Sequence, residues 1–207
     1  MSWLGFDVYG TLLDVGSATR GHELPEGFGA LWRAKQLEYT WTRQLMGAYE
    51  DFWALTAAAL DFTIARTGAG AGAREELLHG WLALEPFAEV AGALAALREG
   101  GARLAAISNG TPAMLARALE SAGLTAALDE TVSVDEIRVY KPDARVYHHA
   151  AARLGAPIAQ ITFVSAHAWD AAGARAAGMG VAYVQRRGDP LEYGFGSAMA
   201  DLRGLLG

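Results

Sequence analysis

The amino-acid sequence predicts an α/β fold in which a parallel sheet carries a helical insertion after its first strand. Short and almost continuous apolar runs recur along the chain, and segments with a helical pattern separate them. Apolar strands that alternate with helices are typical of a parallel sheet that is covered on both faces. A long helical pattern rich in aromatic residues follows the first apolar run, and it predicts the insertion.

Five apolar runs are predicted as strands, and each is followed by a polar residue or a turn. The run at 130–134 is the weakest of the five. The predicted strands are 3–9, 102–108, 130–134, 160–165 and 180–185.

Three predicted helices lie between the later strands, at 111–123, 141–155 and 168–180. The first has Pro112 near its start and Gly123 at its end, which is the asymmetry expected of a helix.

The segment from Gly16 to Leu84 interrupts the alternation of strands and helices. Its pattern is helical, and the sequence "GAGAGA" at 68–73 predicts a flexible loop before a further helix. We therefore predict a core domain formed by residues 1–15 and 85–207, and a helical cap subdomain at 16–84. Most aromatic residues of the insertion are expected to form its own core.

Composition restricts the classes of function. Of the 207 residues, 52% are hydrophobic and 19% are charged, so a sizeable core is available. The net charge of -6 gives no reason to expect nucleic acid or an anionic membrane as a partner. The chain has no cysteine, which excludes disulfides and thiol nucleophiles and agrees with a cytoplasmic location. We predict no signal peptide and no transmembrane helix.

Polar residues follow the predicted strands, and Lys141 stands at the start of a predicted helix, at the edge where open parallel sheets bind ligands. Each alone has an ordinary explanation as a turn residue, a helix cap or a surface charge. Together they predict a site at one edge of the sheet. The residues are Asp7, Tyr9, Thr11, Ser108, Asn109, Lys141, Ser165, His167 and Asp170.

Four segments resemble the motifs of the haloacid dehalogenase superfamily, and within it those of the (S)-2-haloacid dehalogenases. A further segment, "LWRAKQLEYTW", is similar to their helical cap. The four segments are "DVYGT", "SNG", "YKPD" and "VSAHAWDAAGARAAG". The resemblance covers nearly the whole chain and implies a Rossmann-like core with a cap inserted after the first strand.

The resemblance also implies a reaction. Asp7 would attack C2 of a small 2-haloalkanoic acid and expel halide, which leaves an ester on Asp7. Water would then attack the carbonyl carbon of that ester and release a 2-hydroxy acid. Because only the first step changes C2, the net outcome is inversion, from an L substrate to a D product.

Supporting roles follow from the same resemblance. Lys141 would keep Asp7 ionised, since a neighbouring cation favours the charged form. Thr11 and Ser165 would orient Asp7 and Lys141, and Asp170 would activate or place the hydrolytic water.

Other residues would bind the substrate. Arg33 would receive the halide with Asn109 and Trp169, because arginine stays charged and offers several donors. Ser108 and backbone amides near Asp7 would receive the carboxylate. The apolar residues expected around the alkyl group are Tyr9, Leu37, Phe52 and Trp169. Tyr147 would either reach the site or pack behind Lys141.

Two positions distinguish this sequence from the phosphatases of the superfamily, which have an acid at each. They are Tyr9, which cannot act as a general acid at neutral pH, and Ala166. Mg²⁺ prefers carboxylate ligands, and Lys141 would occupy the nearby charge position, so we expect neither metal nor other cofactor.

At two positions this sequence has a residue that differs from the one common in the dehalogenases themselves. His167 stands where Asn is common, and it would be either a general base or a structural replacement. Ala34 stands where a larger polar residue is common, which bears on substrate choice.

Two other functions stay open at this point. One is a phosphatase acting on a small phosphate ester, and the other is a non-catalytic protein that binds carboxylates on the same fold. The expected partners are a small 2-haloacid and halide, and the resemblance also suggests a homodimer.

Overall fold

A computed structural model describes residues 2–207. Within this range, five parallel strands form one sheet in the order β3-β2-β1-β4-β5. The strands are β1 (Trp3–Phe6), β2 (Arg103–Ser108), β3 (Glu130–Ser133), β4 (Ile161–Ser165) and β5 (Gly180–Tyr183). All five predicted strands are confirmed. The first ends at Phe6, earlier than the predicted 3–9, because the chain turns sharply at residues 8–13.

Seven α-helices surround and extend this sheet in the described range. They are α1 (Phe28–Leu45), α2 (Phe52–Thr67), α3 (Arg74–Trp81), α4 (Val90–Glu99), α5 (Pro112–Ser121), α6 (Ala144–Leu154) and α7 (Ala168–Ala176). The three helices predicted between the later strands are confirmed as α5, α6 and α7. Helix α6 begins at Ala144, not at Lys141, because the Asp143 side chain accepts the Arg145 N–H and caps it.

Helices α1, α2 and α3 lie between β1 and β2 in the chain. Their aromatic side chains pack together as expected: Trp32 and Trp81 are buried, and their ring centroids are 5.1 Å apart. Trp41 is an exception, since it stays 36% exposed. The predicted loop at 68–73 is only partly a loop, because residues Ala71–Ala73 form a short 3-10 helix. No helix among residues 2–207 combines the length and the hydropathy that crossing a membrane requires.

Candidate active site

Asp7 lies directly after β1, at the carboxyl edge of the sheet. Its backbone N–H donates to the carbonyl oxygen of Val164 at 3.0 Å, which extends the contact between β1 and β4. The carbonyl oxygen of Val8 accepts the backbone N–H groups of residues 11–13, so the chain turns back tightly. This turn brings the Thr11 hydroxyl to Oδ2 of Asp7, to which it donates at 2.9 Å.

Lys141 lies between two carboxylates. Its Nζ atom is 3.1 Å from Oδ1 of Asp7 and 2.9 Å from Oδ2 of Asp170. Lys141 is 1% exposed and Asp170 is fully buried. The Tyr147 hydroxyl donates to Oδ1 of Asp170 at 2.6 Å, and the Ser165 hydroxyl lies 3.4 Å from Oδ2. Both oxygens of Asp170 are therefore engaged inside the protein.

Burial and charge act in opposite directions on this triad. Burial raises the pKa of Asp7, but the charge of Lys141 and the hydrogen bond from His167 lower it by more than burial raises it. The pKa of Asp7 therefore lies well below its usual range. Burial lowers the pKa of Lys141, and the two carboxylates more than restore it. Burial, together with the charge of Asp7, raises the pKa of Asp170. Asp7 is thus an ionised carboxylate beside a charged ammonium at neutral pH.

The side chain of His167 contacts Asp7, whereas its backbone carbonyl oxygen accepts the N–H of Asp170 at 3.1 Å. Its backbone N–H donates to the Ser165 hydroxyl at 3.1 Å, at the start of α7. Its Nδ1 atom lies 3.2 Å from Oδ2 of Asp7. An ionised carboxylate only accepts, so we assign the imidazole proton to Nδ1, which leaves Nε2 as an acceptor.

Arg33 reaches the same loop from α1. Its guanidinium donates to Oε1 of Gln36 at 2.6 Å and to the carbonyl oxygen of Tyr9 at 3.1 Å. It also lies over the ring of Trp81, 5.9 Å from the centroid. Burial lowers the pKa of Arg33 to about 10, against the raising effect of Asp7. The guanidinium therefore stays charged at neutral pH.

A cavity of about 520 Å³ opens beside Arg33 and His167, which both line it. Two of the apolar residues predicted around the substrate, Leu37 and Trp169, line it as well.

The other predicted apolar residues do not line this cavity. Tyr9 and Phe52 are buried against each other, with ring centroids 5.7 Å apart, and Tyr9 also stacks on Trp81. Tyr147 packs behind the Lys141 pair, where its hydroxyl bonds Asp170. These three residues shape the site from behind.

Ser108 and Asn109 follow β2 and are buried near the triad. Oδ1 of Asn109 accepts the backbone N–H of Lys141 at 3.2 Å, which fixes the lysine loop. The Ser108 hydroxyl oxygen accepts the N–H of Gly110 at 3.2 Å. The lining of the 520 Å³ cavity includes neither residue, so their contacts with a substrate stay predictions.

The sequence pattern does not single out Gln36 and Arg186, although both bond site residues. Gln36 holds Arg33, as described above. Arg186 donates to the carbonyl oxygen of Thr11 at 2.9 Å, pairs with Glu89 at 2.6 Å and covers the ring of Phe87. An isolated arginine after a strand gives no signal in sequence, and only the folded chain brings it to Thr11.

Among residues 2–207, no group of three or more His, Cys, Asp or Glu side chains is arranged to hold a metal ion. The position between the Asp7 and Asp170 carboxylates is filled by the ammonium of Lys141.

Comparisons with known proteins agree with this geometry. A model of the haloacid dehalogenase-like hydrolase family matches residues 1–178. An (S)-2-haloacid dehalogenase from Pseudomonas sp. (strain CBS-3) is 43% identical over 97% of this chain and 91% of its own length.

Solved structures are similar as well. A dehalogenase with an intermediate complex superimposes with a TM-score of 0.94, at 37% identity, over 99% of this chain and 95% of the other. The L-2-haloacid dehalogenase of Xanthobacter autotrophicus with chloropropionic acid covalently bound has a TM-score of 0.83, at 37% identity, over 90% and 78%. With the triad of Asp7, Lys141 and Asp170 at the sheet edge, these matches establish that the chain belongs to the haloacid dehalogenase-like hydrolases, within the family of (S)-2-haloacid dehalogenases.

Proposed function

We propose that this protein hydrolyses small L-2-haloalkanoic acids to D-2-hydroxy acids and halide, with Asp7 as the nucleophile. The proposal is carried by the ionised Asp7 carboxylate, which Lys141, Thr11 and His167 hold at the edge of the sheet. Relatives that bear the name (S)-2-haloacid dehalogenase support the substrate class.

In the first step, an oxygen of Asp7 attacks C2 from the side opposite the halogen. The new C–O bond forms as the carbon–halogen bond breaks, and the electron pair leaves with the halide. Oδ1 has one donor and Oδ2 has two, so Oδ1 keeps more lone-pair capacity for the attack. The covalently bound chloropropionic acid of the Xanthobacter enzyme supports an ester of this kind.

In the second step, water attacks the carbonyl carbon of the Asp7 ester. The bond between that carbon and the bridging ester oxygen breaks, so C2 keeps this oxygen, which came from Asp7. The configuration at C2 therefore changes once, in the first step. One water proton passes to Nε2 of His167 and then to the oxygen of the leaving product, which becomes its hydroxyl. The second water proton is lost to solvent, and Asp7 returns to a carboxylate.

We assign the water to His167, because it lines the cavity and contacts Asp7. Asp170 has no exposed surface and both its oxygens are engaged. We therefore propose that Asp170 holds Lys141 in place, with Tyr147 and Ser165 as its donors, and does not contact the water.

The remaining proposed roles concern substrate binding. Arg33 receives the halide, with Asn109 and Trp169 nearby, and Ser108 with backbone amides near Asp7 receives the carboxylate. Leu37 and Trp169 contact the alkyl group.

We also propose the division into a core of 1–15 and 85–207 and a cap of 16–84, since α1 supplies Arg33 to a site built on the sheet. A homodimer and a cytoplasmic location stay predictions.

The decisive experiment is halide release from haloacetates and from both enantiomers of 2-chloropropionate. We expect release from the L enantiomer, with D-lactate as product. An enzyme that releases no halide from any of them, but cleaves p-nitrophenyl phosphate in the presence of Mg²⁺, would be a phosphatase instead.

A further inference from the structure

We propose that Gln36 is a positioning residue that fixes the Arg33 guanidinium without neutralising its charge, and so keeps Arg33 able to accept the departing halide. This inference rests on the halide role proposed above for Arg33. It adds to that role the reason why the guanidinium is available to an anion.

The hydrogen bonds around Gln36 determine which way its amide faces. Gln36 lies on α1 and is fully buried. The hydroxyl of Thr56 on α2 donates its single proton to the carbonyl oxygen of Phe52 at 2.6 Å. The Thr56 oxygen must therefore accept from Nε2 of Gln36, which lies 2.5 Å away. Oε1 of Gln36 is left to face Arg33, which has donors only.

Both acceptors that hold Arg33 are uncharged oxygen atoms. One is Oε1 of Gln36 and the other is the carbonyl oxygen of Tyr9. The Nε atom of Arg33 is buried, and it has no hydrogen-bond partner among residues 2–207. A buried donor of a charged group without an acceptor favours an anionic ligand, because burial strengthens the attraction between charges.

A glutamate at position 36 would have nearly the same shape and would reverse this arrangement. Its carboxylate would pair with the guanidinium and cancel much of the positive field that attracts halide. The Gln36 amide therefore orients the Arg33 guanidinium and does not neutralise the charge of that guanidinium.

The test compares Gln36→Glu, Gln36→Met and Thr42→Glu with the wild type. Chloride binding is measured from the broadening of the chloride NMR line, with bromide as the competing anion, and halide release is assayed separately. Thr42 is exposed on the same helix, so Thr42→Glu adds the same charge at a position away from Arg33. Thermal unfolding shows whether each variant is folded.

We expect Gln36→Glu to weaken chloride binding by about tenfold or more, because it places an opposite charge beside the guanidinium. Gln36→Met removes an acceptor and adds no charge, so it should weaken binding by only about two- to fivefold. Thr42→Glu should bind chloride as the wild type does.

A Gln36→Glu protein that binds chloride as tightly as the wild type would overturn the inference. So would a Gln36→Met protein as weak as Gln36→Glu, because that result is the signature of a packing residue. If Gln36→Glu does not fold, a Gln36→Met protein with wild-type chloride affinity would also overturn it. A wild type that releases halide from haloacids but binds no chloride refutes the role of Gln36 alone. A wild type that releases no halide refutes the proposed function.

Discussion

Nδ1 of His167 lies 3.2 Å from Oδ2 of Asp7, whereas Asp170 is enclosed by Lys141 and Tyr147. In the proposed reaction Asp7 becomes an ester, and the same imidazole would then lie beside the carbonyl group that water attacks. Its second nitrogen, Nε2, is the proposed proton acceptor. Under this proposal Asp7 forms the ester, and His167 assists its hydrolysis.

The first prediction concerns His167→Asn. We expect the hydrolysis step to slow by ~10²–10⁴-fold, the usual contribution of general-base catalysis, so that the Asp7 ester accumulates. Rapid-quench kinetics can separate halide release from ester hydrolysis. A variant with the wild-type hydrolysis rate would show that His167 only replaces Asn structurally.

The second prediction concerns Gly10, which has a φ of +96° and whose added Cβ would lie 2.7 Å from the His167 ring. Gly10→Ala should displace the imidazole and slow ester hydrolysis. Gly21→Ala is a matched control, because Gly21 has a φ of +83° and no heavy atom within 4 Å of its added Cβ. Both variants should lose about 1 kcal/mol of folding stability from the left-handed backbone. Equal hydrolysis rates in the two variants would contradict the proposed contact.

The third prediction concerns the nucleophile. In a single turnover with enzyme in excess in ¹⁸O-labelled water, the label should enter the Asp7 carboxylate. The product hydroxyl takes its oxygen from Asp7 and should stay unlabelled. Mass spectrometry of the peptide that contains Asp7 measures the incorporation. Label found mainly in the product would mean that water attacks C2 directly.

The fourth prediction concerns metal. Halide release should survive exhaustive treatment with EDTA, because the Lys141 ammonium occupies the position between the two carboxylates. The control is the same protein dialysed without chelator. A large loss that Mg²⁺ restores would contradict the role given to Lys141.

The fifth prediction concerns Tyr147→Phe, which removes the 2.6 Å hydrogen bond to the buried Asp170 carboxyl. Loss of this donor should cost about 1–3 kcal/mol of unfolding free energy, measured by urea denaturation.

The pH dependence of this loss has a definite sign. Burial raises the pKa of Asp170, and removal of the Tyr147 donor raises it further, since that donor favours the ionised form. The loss should therefore grow as the pH rises through the pKa of Asp170 and shrink at lower pH, where the carboxyl is protonated. Tyr39→Phe, at a half-buried position on α1, is the control. A pH-independent loss would contradict the ion-pair description.

The sheet was predictable from sequence because its strands are buried on both faces, which leaves continuous apolar runs such as 102–108 and 160–165. The grouping of Asp7, Lys141 and Asp170 was predictable as well, since parallel strands present their carboxyl ends at one edge. Arg33 was predicted as a site residue only from the family resemblance, because it belongs to α1 and does not follow a strand of the sheet.

Contacts between helices were not predictable in the same way. Gln36 bonds Arg33 and Thr56 only because α1 packs on α2 in one register, which residue pattern alone does not fix. The direction of an aromatic side chain is equally hidden, so Phe52 was expected in the pocket and packs behind it. The direction of the His167 ring, toward Asp7, is equally hidden in the residue pattern.

The proposed nucleophile and the proposed halide-binding cation belong to different elements of the chain. Asp7 directly follows β1 and Lys141 lies in the loop before α6, whereas Arg33 and Gln36 belong to α1. Substitutions on α1 are therefore expected to change how the proposed leaving group is bound, and to leave the geometry around Asp7 as it is.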